Sequence, residues 1–189
     1  MDSKYILFLT ALFSLVFHSN AHAGKSGRQG SASLMGSYSK TTYGPDTYST
    51  GRRITTALAY NLTDVTEIEI SYTYSKSLFK QAEIQSITEE EQTLSGSVIQ
   101  TLVPPDWVFQ PYAKGGAAQY NRKQNGTVSG IPTREVYTKS PSFLLGVGAR
   151  VFFLQNFALK VEAIEYFPDF KFNEGANNIA VEGGLSYYF

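Results

Sequence analysis

Cysteine is missing from the sequence altogether. Its absence excludes a disulfide framework, a thiolate metal site and lipidation at a mature N-terminal cysteine. Histidine is nearly missing too: the only copies are His18 and His22. Both fall in a stretch built like a secretory signal, with Lys4 as a basic start and an apolar run over 6–17. That run is too short to span a bilayer as a mature helix, and Ala21-His22-Ala23 supplies a small-residue cleavage site. Residues 1–23 therefore read as a signal peptide, and cleavage after Ala23 would leave a chain without the commonest general base. No later window holds a long uncharged apolar run, so spanning by helices is excluded. Sixteen Lys and Arg balance sixteen Asp and Glu, which gives no support to nucleic-acid or other polyanion binding by the chain as a whole.

What the chain has in quantity is Tyr (13), Phe (13) and Gly (16), a mixture that suits a sheet with aromatic girdles and tight turns. The last stretch, IAVEGGLSYYF, sets the pattern. Counting in twos, Ile179, Val181, Gly183, Leu185, Tyr187 and Phe189 form one nearly apolar row, and Ala180, Glu182, Gly184, Ser186 and Tyr188 form a mixed one. Successive side chains of a strand point to opposite faces, so this is a strand with one greasy face that ends the chain. Tyr two residues before a terminal Phe resembles the C-terminal signal of small Gram-negative outer-membrane β-barrels of the OmpA/OmpX-like kind. In that family the signal is read by the barrel-assembly machinery, so the resemblance assigns assembly to Tyr187 and Phe189. It also implies passage past periplasmic chaperones.

The rest of the chain repeats the alternation. After a Gly- and Ser-rich lead-in over 24–30, strands are predicted at 31–40, 48–60, 66–76, 88–103, 108–120, 142–154, 157–167 and 179–189, all within one domain, 31–189. The cleanest is the third, with Ile68, Ile70, Tyr72 and Tyr74 against Glu67, Glu69, Ser71 and Thr73. In the fifth, Phe109, Pro111, Ala113, Gly115 and Ala117 are placed outward, because the other choice puts Lys114 in lipid at about 2–4 kcal/mol. The fold expected is all-β: an eight-stranded antiparallel up-and-down transmembrane β-barrel. Periodicity alone leaves open a lipocalin-like soluble barrel with the two rows exchanged. Connections after the second, fourth and sixth strands look tight, and those at 77–86, 121–140 and 168–177 look long and polar. Short periplasmic turns and longer extracellular loops would put both termini in the periplasm of a bacterial outer membrane.

The inward rows carry Arg53, Glu67, Glu69, Lys114, Arg150, Lys160, Glu162 and Glu182, four charges of each sign. An eight-stranded barrel is only wide enough to be filled by side chains, so these charges must pair. The bland reading is a polar plug. The OmpA-type resemblance implies a network able to gate a narrow conductance, carried over to Lys114, Arg150, Glu162 and Glu182. At the outer ends Lys40, Arg52 and Lys76 follow aromatic or apolar residues on the outward rows, where they would meet anionic lipopolysaccharide. Glu89-Glu90-Glu91 is an acidic run to be weighed as a calcium or magnesium site. No cofactor is expected. The reading is a monomeric, non-enzymatic outer-membrane barrel acting in envelope integrity or surface interaction. A narrow channel, a lipid-A- or phospholipid-acting enzyme and a soluble binder are the alternatives.

Overall fold

The computed structural model describes residues 28–44, 46–81, 85–128, 131–133, 135–169 and 179–189. The signal peptide, most of the lead-in and most of the 168–177 connection lie outside the described residues. The strands are β1 (Gly30–Gly44), β2 (Thr47–Asn61), β3 (Thr66–Gln81), β4 (Gln85–Thr101), β5 (Phe109–Val128), β6 (Ile131–Pro132), β7 (Val136–Phe152), β8 (Phe157–Pro168) and β9 (Ile179–Tyr188). β6 is a two-residue piece paired to the end of β5. The other eight run β4-β3-β2-β1-β9-β8-β7-β5, every neighbouring pair antiparallel, and a β4–β5 pairing closes the ring.

The stagger of the ring follows from its register. Stepping across partners from Phe189 through Gly30, Tyr60, Ile68, Val98, Gly115, Leu145 and Glu165 returns to the starting strand at Ile179, ten residues away. With eight strands, that stagger tilts them by about 41° and sets a backbone radius of about 8 Å. At this tilt each residue climbs about 2.5 Å along the axis, so the outward row from Phe189 to Ile179 is about 25 Å tall, the height of a lipid-facing band.

Alternation decides which row faces where. Val147 is 64% and Leu185 50% exposed, whereas Glu69 and Arg150 are each 2% exposed. The apolar row is outside on all eight strands, including Ala113 and Gly115 on β5 with Lys114 inside. This arrangement excludes the dry-centred soluble barrel. Rings gather at one end of the band: Phe157 stacks 5.0 Å from Tyr187, which lies 6.3 Å from Phe189, and Phe153 lies 6.3 Å from Phe157. The Phe189 carbonyl accepts hydrogen bonds from the Gln29 and Gly30 amides, so the last strand is tied to the start of β1.

The strands are longer than their hydrophobic pattern. Residues 77–86, expected as a connection, are mostly strand, since Ser77 to Gln81 pair with Glu89 to Gln85. Most of 121–140 belongs to β5 and β7. Above the band both faces of a strand meet water, so both rows are polar and the period-two signal vanishes while the ladder continues. The asymmetry between the two ends is therefore one of strand protrusion. The segment 102–108 at the other end is in fact longer than the reversals between Gly44 and Thr47 or between Gln81 and Gln85.

Close backbone approach is demanded at two inward glycines. A Cβ on Gly184 would run into the Leu34 carbonyl oxygen, and one on Gly116 into that of Gly96. Gly184→Ala and Gly116→Ala are each expected to destabilise the barrel by about 1–3 kcal/mol, whereas Gly96→Ala, whose Cβ meets nothing within 4 Å, should be neutral. Heat-modifiable gel mobility of the three variants checks this.

Candidate functional site

The interior is built rung by rung. Parity sends Glu67 and Glu69 of β3, Lys114 of β5, Arg150 of β7, Lys160 and Glu162 of β8, Glu182 of β9 and Arg53 of β2 into one narrow lumen. The ladder then sets like beside like: Arg150 is the direct partner of Lys160, and Glu162 of Glu182. Such neighbours repel. The repulsion is offset across the lumen, where opposite charges meet.

Lys114 and Lys160 share two carboxylates. Lys114 Nζ is 2.6 Å from Glu69 Oε1 and 3.4 Å from Glu162 Oε1, and Lys160 Nζ is 2.9 Å from Glu69 Oε2 and 3.3 Å from Glu162 Oε2. This four-membered ring joins β3, β5 and β8. Next to it, toward the end where Gly30 and Phe189 lie, Arg150 donates both terminal nitrogens to Glu67, at 2.5 and 2.9 Å, the two-pronged geometry that gives the strongest carboxylate contacts. On the other side Arg53 reaches Glu182 at 3.4 Å. All eight inward charges are thus engaged.

The carried-over gating set is only partly assembled. Among Lys114, Arg150, Glu162 and Glu182, the sole ion pair among the described residues is Lys114 with Glu162. The missing partners are Glu67 and Glu69 on β3, Arg53 on β2 and Lys160 on β8, most of them reached across the lumen rather than along neighbouring strands. Tyr112 was not among the sequence candidates. It is fully buried, donates its hydroxyl to Glu162 Oε2 at 2.8 Å, and lies under the Arg150 guanidinium at 4.8 Å. Its place between Gln110 and Lys114 on the inward row of β5 was the available signal. The rest of the interior holds hydroxyl pairs, Ser33 with Ser186, Thr55 with Thr73 and Ser71 with Ser95, at 2.6–2.8 Å, and a buried apolar cluster of Ala118, Leu144 and Ile164 with Tyr166 against it.

The charged layer separates two cavities. The one at the end where Arg28 and Tyr188 lie has about 530 Å³ and is lined by Arg28, Asp64, Glu67, Trp107, Arg150 and Tyr188, among others. Arg28 stacks 4.2 Å over the Phe152 ring there and donates to the Gln155 carbonyl. The opposite cavity has about 450 Å³, with Arg53 near its floor and Glu89, Glu91 and Arg122 above.

Alternation splits the acidic run. Glu89 and Glu91 line the inner cavity, while Glu90 lies outside and bonds Lys76 at 2.6 Å. Glu91 meets Arg122 at 3.3 Å. Three carboxylates on alternating faces do not converge on one cation, and no metal-holding group occurs among the described residues. Of the three outward cations, Lys76 is neutralised by Glu90, the Lys40 ammonium stands 6.0 Å over the Tyr48 ring, and Arg52 has no ion pair among the described residues. Arg52 pairs in register with Tyr38 on one side and Lys76 on the other, and a 230 Å³ groove lies against these residues. Farther out Lys123 pairs with Glu135, whose carboxyl is held below its ordinary pKa by the Lys123 hydrogen bond.

A closed barrel with a lipid-facing apolar skin and a charge-filled interior defines a transmembrane β-barrel. The chain belongs to the family described as outer membrane protein beta-barrel domain, which matches residues 9–189. Its fold is shared with the N-terminal β-barrel domain of Pseudomonas aeruginosa OprF (17% identity, 86% of this chain and 99% of that one, TM-score 0.58). It is also shared with Ail, the attachment invasion locus protein of Yersinia pestis (13% identity, 85% and 99%, TM-score 0.52). No curated protein matches the chain. Family and fold place the protein in the bacterial outer membrane.

Removing one member of the Arg150–Glu67 pair leaves a buried charge unpartnered. Arg150→Met is expected to cost about 3–5 kcal/mol, and adding Glu67→Leu should restore most of it. Urea unfolding of the two variants in detergent micelles measures both steps.

Proposed function

We propose that this is a monomeric, non-enzymatic outer-membrane barrel that acts through the surface it raises above the outer leaflet, in envelope integrity or surface interaction. The observation that carries the reading is the charged layer. Lys114, Lys160, Glu69 and Glu162 satisfy one another in a lumen about 8 Å in backbone radius, which supports a packed polar plug over a catalytic pair or a channel. What remains available lies outside: the protruding ends of β1 to β5 and β7, where polar residues mix with exposed ones such as Tyr43, Val136 and Tyr137. Both termini are assigned to the periplasm, and the protruding strands to the cell surface. Residues 1–23 act as the signal peptide, and Tyr187 and Phe189 present the assembly signal to the barrel-assembly machinery after passage past periplasmic chaperones. Lys40 and Arg52 contact lipopolysaccharide phosphates beside Tyr38 and Tyr48; Lys76, already bonded to Glu90, serves to hold the groove wall.

The cysteine-free chain allows a direct test. On intact cells a membrane-impermeant maleimide should label Lys123→Cys and leave Asp64→Cys unlabelled; the reverse pattern overturns the orientation. In planar bilayers the purified barrel should stay closed. Open events that change in Lys114→Ala would replace the sealed reading by a gated channel, and altered lipid A masses on expression would replace it by an enzyme.

A further inference from the structure

The ring is not equally closed all the way up. β1 and β9 pair from Ser31–Tyr188 to Gly36–Gly183, six residue pairs, and there the pairing stops. Both strands go on: Ser37 to Lys40 stay paired with β2, and Ile179 to Glu182 stay paired with β8. The same register would bring Ser37, Tyr38, Ser39 and Lys40 opposite Glu182, Val181, Ala180 and Ile179, but among the described residues these partners are not paired. The 450 Å³ cavity occupies this split. It is lined by Ser37, Tyr38 and Ser39 on one side and Ile179, Ala180 and Val181 on the other. Its lining mixes inward residues (Arg53, Glu89, Glu91) with outward ones (Tyr38, Arg52, Val181), so it joins the lumen to the barrel's outer surface.

Position and chemistry point to an occupant. The split begins about 15 Å above Gly30 along the axis and ends at the top of the apolar band, the level of the outer-leaflet interface. Unpaired strand backbone is not tolerated against hydrocarbon unless it lines a polar or water-filled space. Arg52, without an ion pair among the described residues, suits a phosphate, and Arg53 and Arg122, whose guanidinium groups also reach Glu182 and Glu91, stand in the same lining with donors to spare. Ser37, Ser39, Ser75 and Ser77 with Glu89 suit sugar hydroxyls. Ile179 and Val181, both 59% exposed, leave an apolar surface at the threshold for acyl chains.

We propose that the β1–β9 split is a lateral doorway that admits the phosphorylated sugar headgroup of an outer-leaflet glycolipid into the vestibule, its acyl chains remaining in the membrane. The proposal rests on the orientation given above. It differs from simple lipopolysaccharide contact in placing the headgroup inside the wall.

The test uses a benzophenone maleimide on the full mature barrel in nanodiscs. Ser37→Cys carries the probe inside the doorway, and Leu145→Cys carries it on the lipid-facing belt; heat-modifiable mobility confirms that each variant is folded. In discs of phosphatidylcholine with lipid A, the Ser37 probe should capture lipid A. Capture should fall by roughly tenfold in Arg52→Gln or Arg122→Gln, the loss of one charge-assisted contact, and by a similar factor with dephosphorylated lipid A. Capture at Leu145 but not at Ser37 overturns the doorway and leaves the membrane reading intact; no lipid capture at Leu145 overturns the membrane reading itself. Equal capture of phosphatidylcholine and lipid A at Ser37 overturns the ligand class. Displacement of lipid A by dissolved inorganic phosphate overturns the lipid source.

Discussion

Hydrocarbon offers no partner for a backbone amide, and the rest of this structure follows from that. Strands immersed in it must pair with one another until the sheet meets itself, and the β4–β5 pairing completes the circle. Eight strands staggered by ten residues then have one radius, about 8 Å, and that radius is too small for a water-filled core. Inward side chains have to meet. Once charged residues are sent inward by alternation, the same narrowness that forbids bulk water obliges each to find an opposite charge within a few ångströms, as Lys114 and Lys160 do between Glu69 and Glu162.

The network also discriminates between registers. A slip of one residue turns each strand inside out and would place Glu69 in lipid. A slip of two keeps the faces right, and hydrophobic patterning has little to say against it. Ion pairing does. Moving β3 by two residues would bring Glu69 to the level of Arg150 and leave Lys114 and Lys160 with one carboxylate in place of two. Buried ion pairs are poor sources of stability, but an error that strands one is costly. Their clearest use here is to make the right stagger the only satisfied one, beside hydroxyl pairs that any register could supply.

Faces were legible in the sequence because a barrel wall has only two environments. Ile68, Ile70, Tyr72 and Tyr74 against Glu67, Glu69, Ser71 and Thr73 could be sorted by parity, and the cost of Lys114 in lipid settled β5. Which row meets lipid was not in the alternation itself, since a soluble barrel exchanges the two rows; the terminal Tyr187 and Phe189 and the unequal connections pointed outward, and the burial of Glu69 and Arg150 decides it. Strand length was not legible above the membrane, since Ser77 to Gln81 and Asn121 to Val128 have water on both sides and lose their alternation without losing their hydrogen bonds. Pairing across the lumen was not legible either. Arg150 and Glu67 are 83 residues apart, and only the stagger brings them level. Tyr112 was visible as an inward aromatic but not as a donor to Glu162, for the same reason.

The seam between the first and last strands differs from the others for a reason built into the chain. Every other pair of neighbours in the ring is consecutive in the chain, the two-residue β6 aside, whereas β1 and β9 stand at opposite ends of the strand order and meet through their own ladder and the Phe189 contacts at the lower end. Three glycines, Gly36, Gly183 and Gly184, stand in the upper part of that ladder, so side-chain contacts across it are sparse just where pairing ends. Gly184 has no choice, since its backbone lies against Leu34. Gly36 and Gly183 face lipid as direct partners, and there a larger apolar pair would have strengthened the seam. With β9 fully laddered to β8 as far as Ile179, the strand follows the neighbour to which it is better bound and parts from the other. The position of the gap is thus set by a competition between two ladders, one of nine residue pairs and one of six, and it runs through the upper part of the apolar band up to the level where hydrocarbon gives way to headgroup.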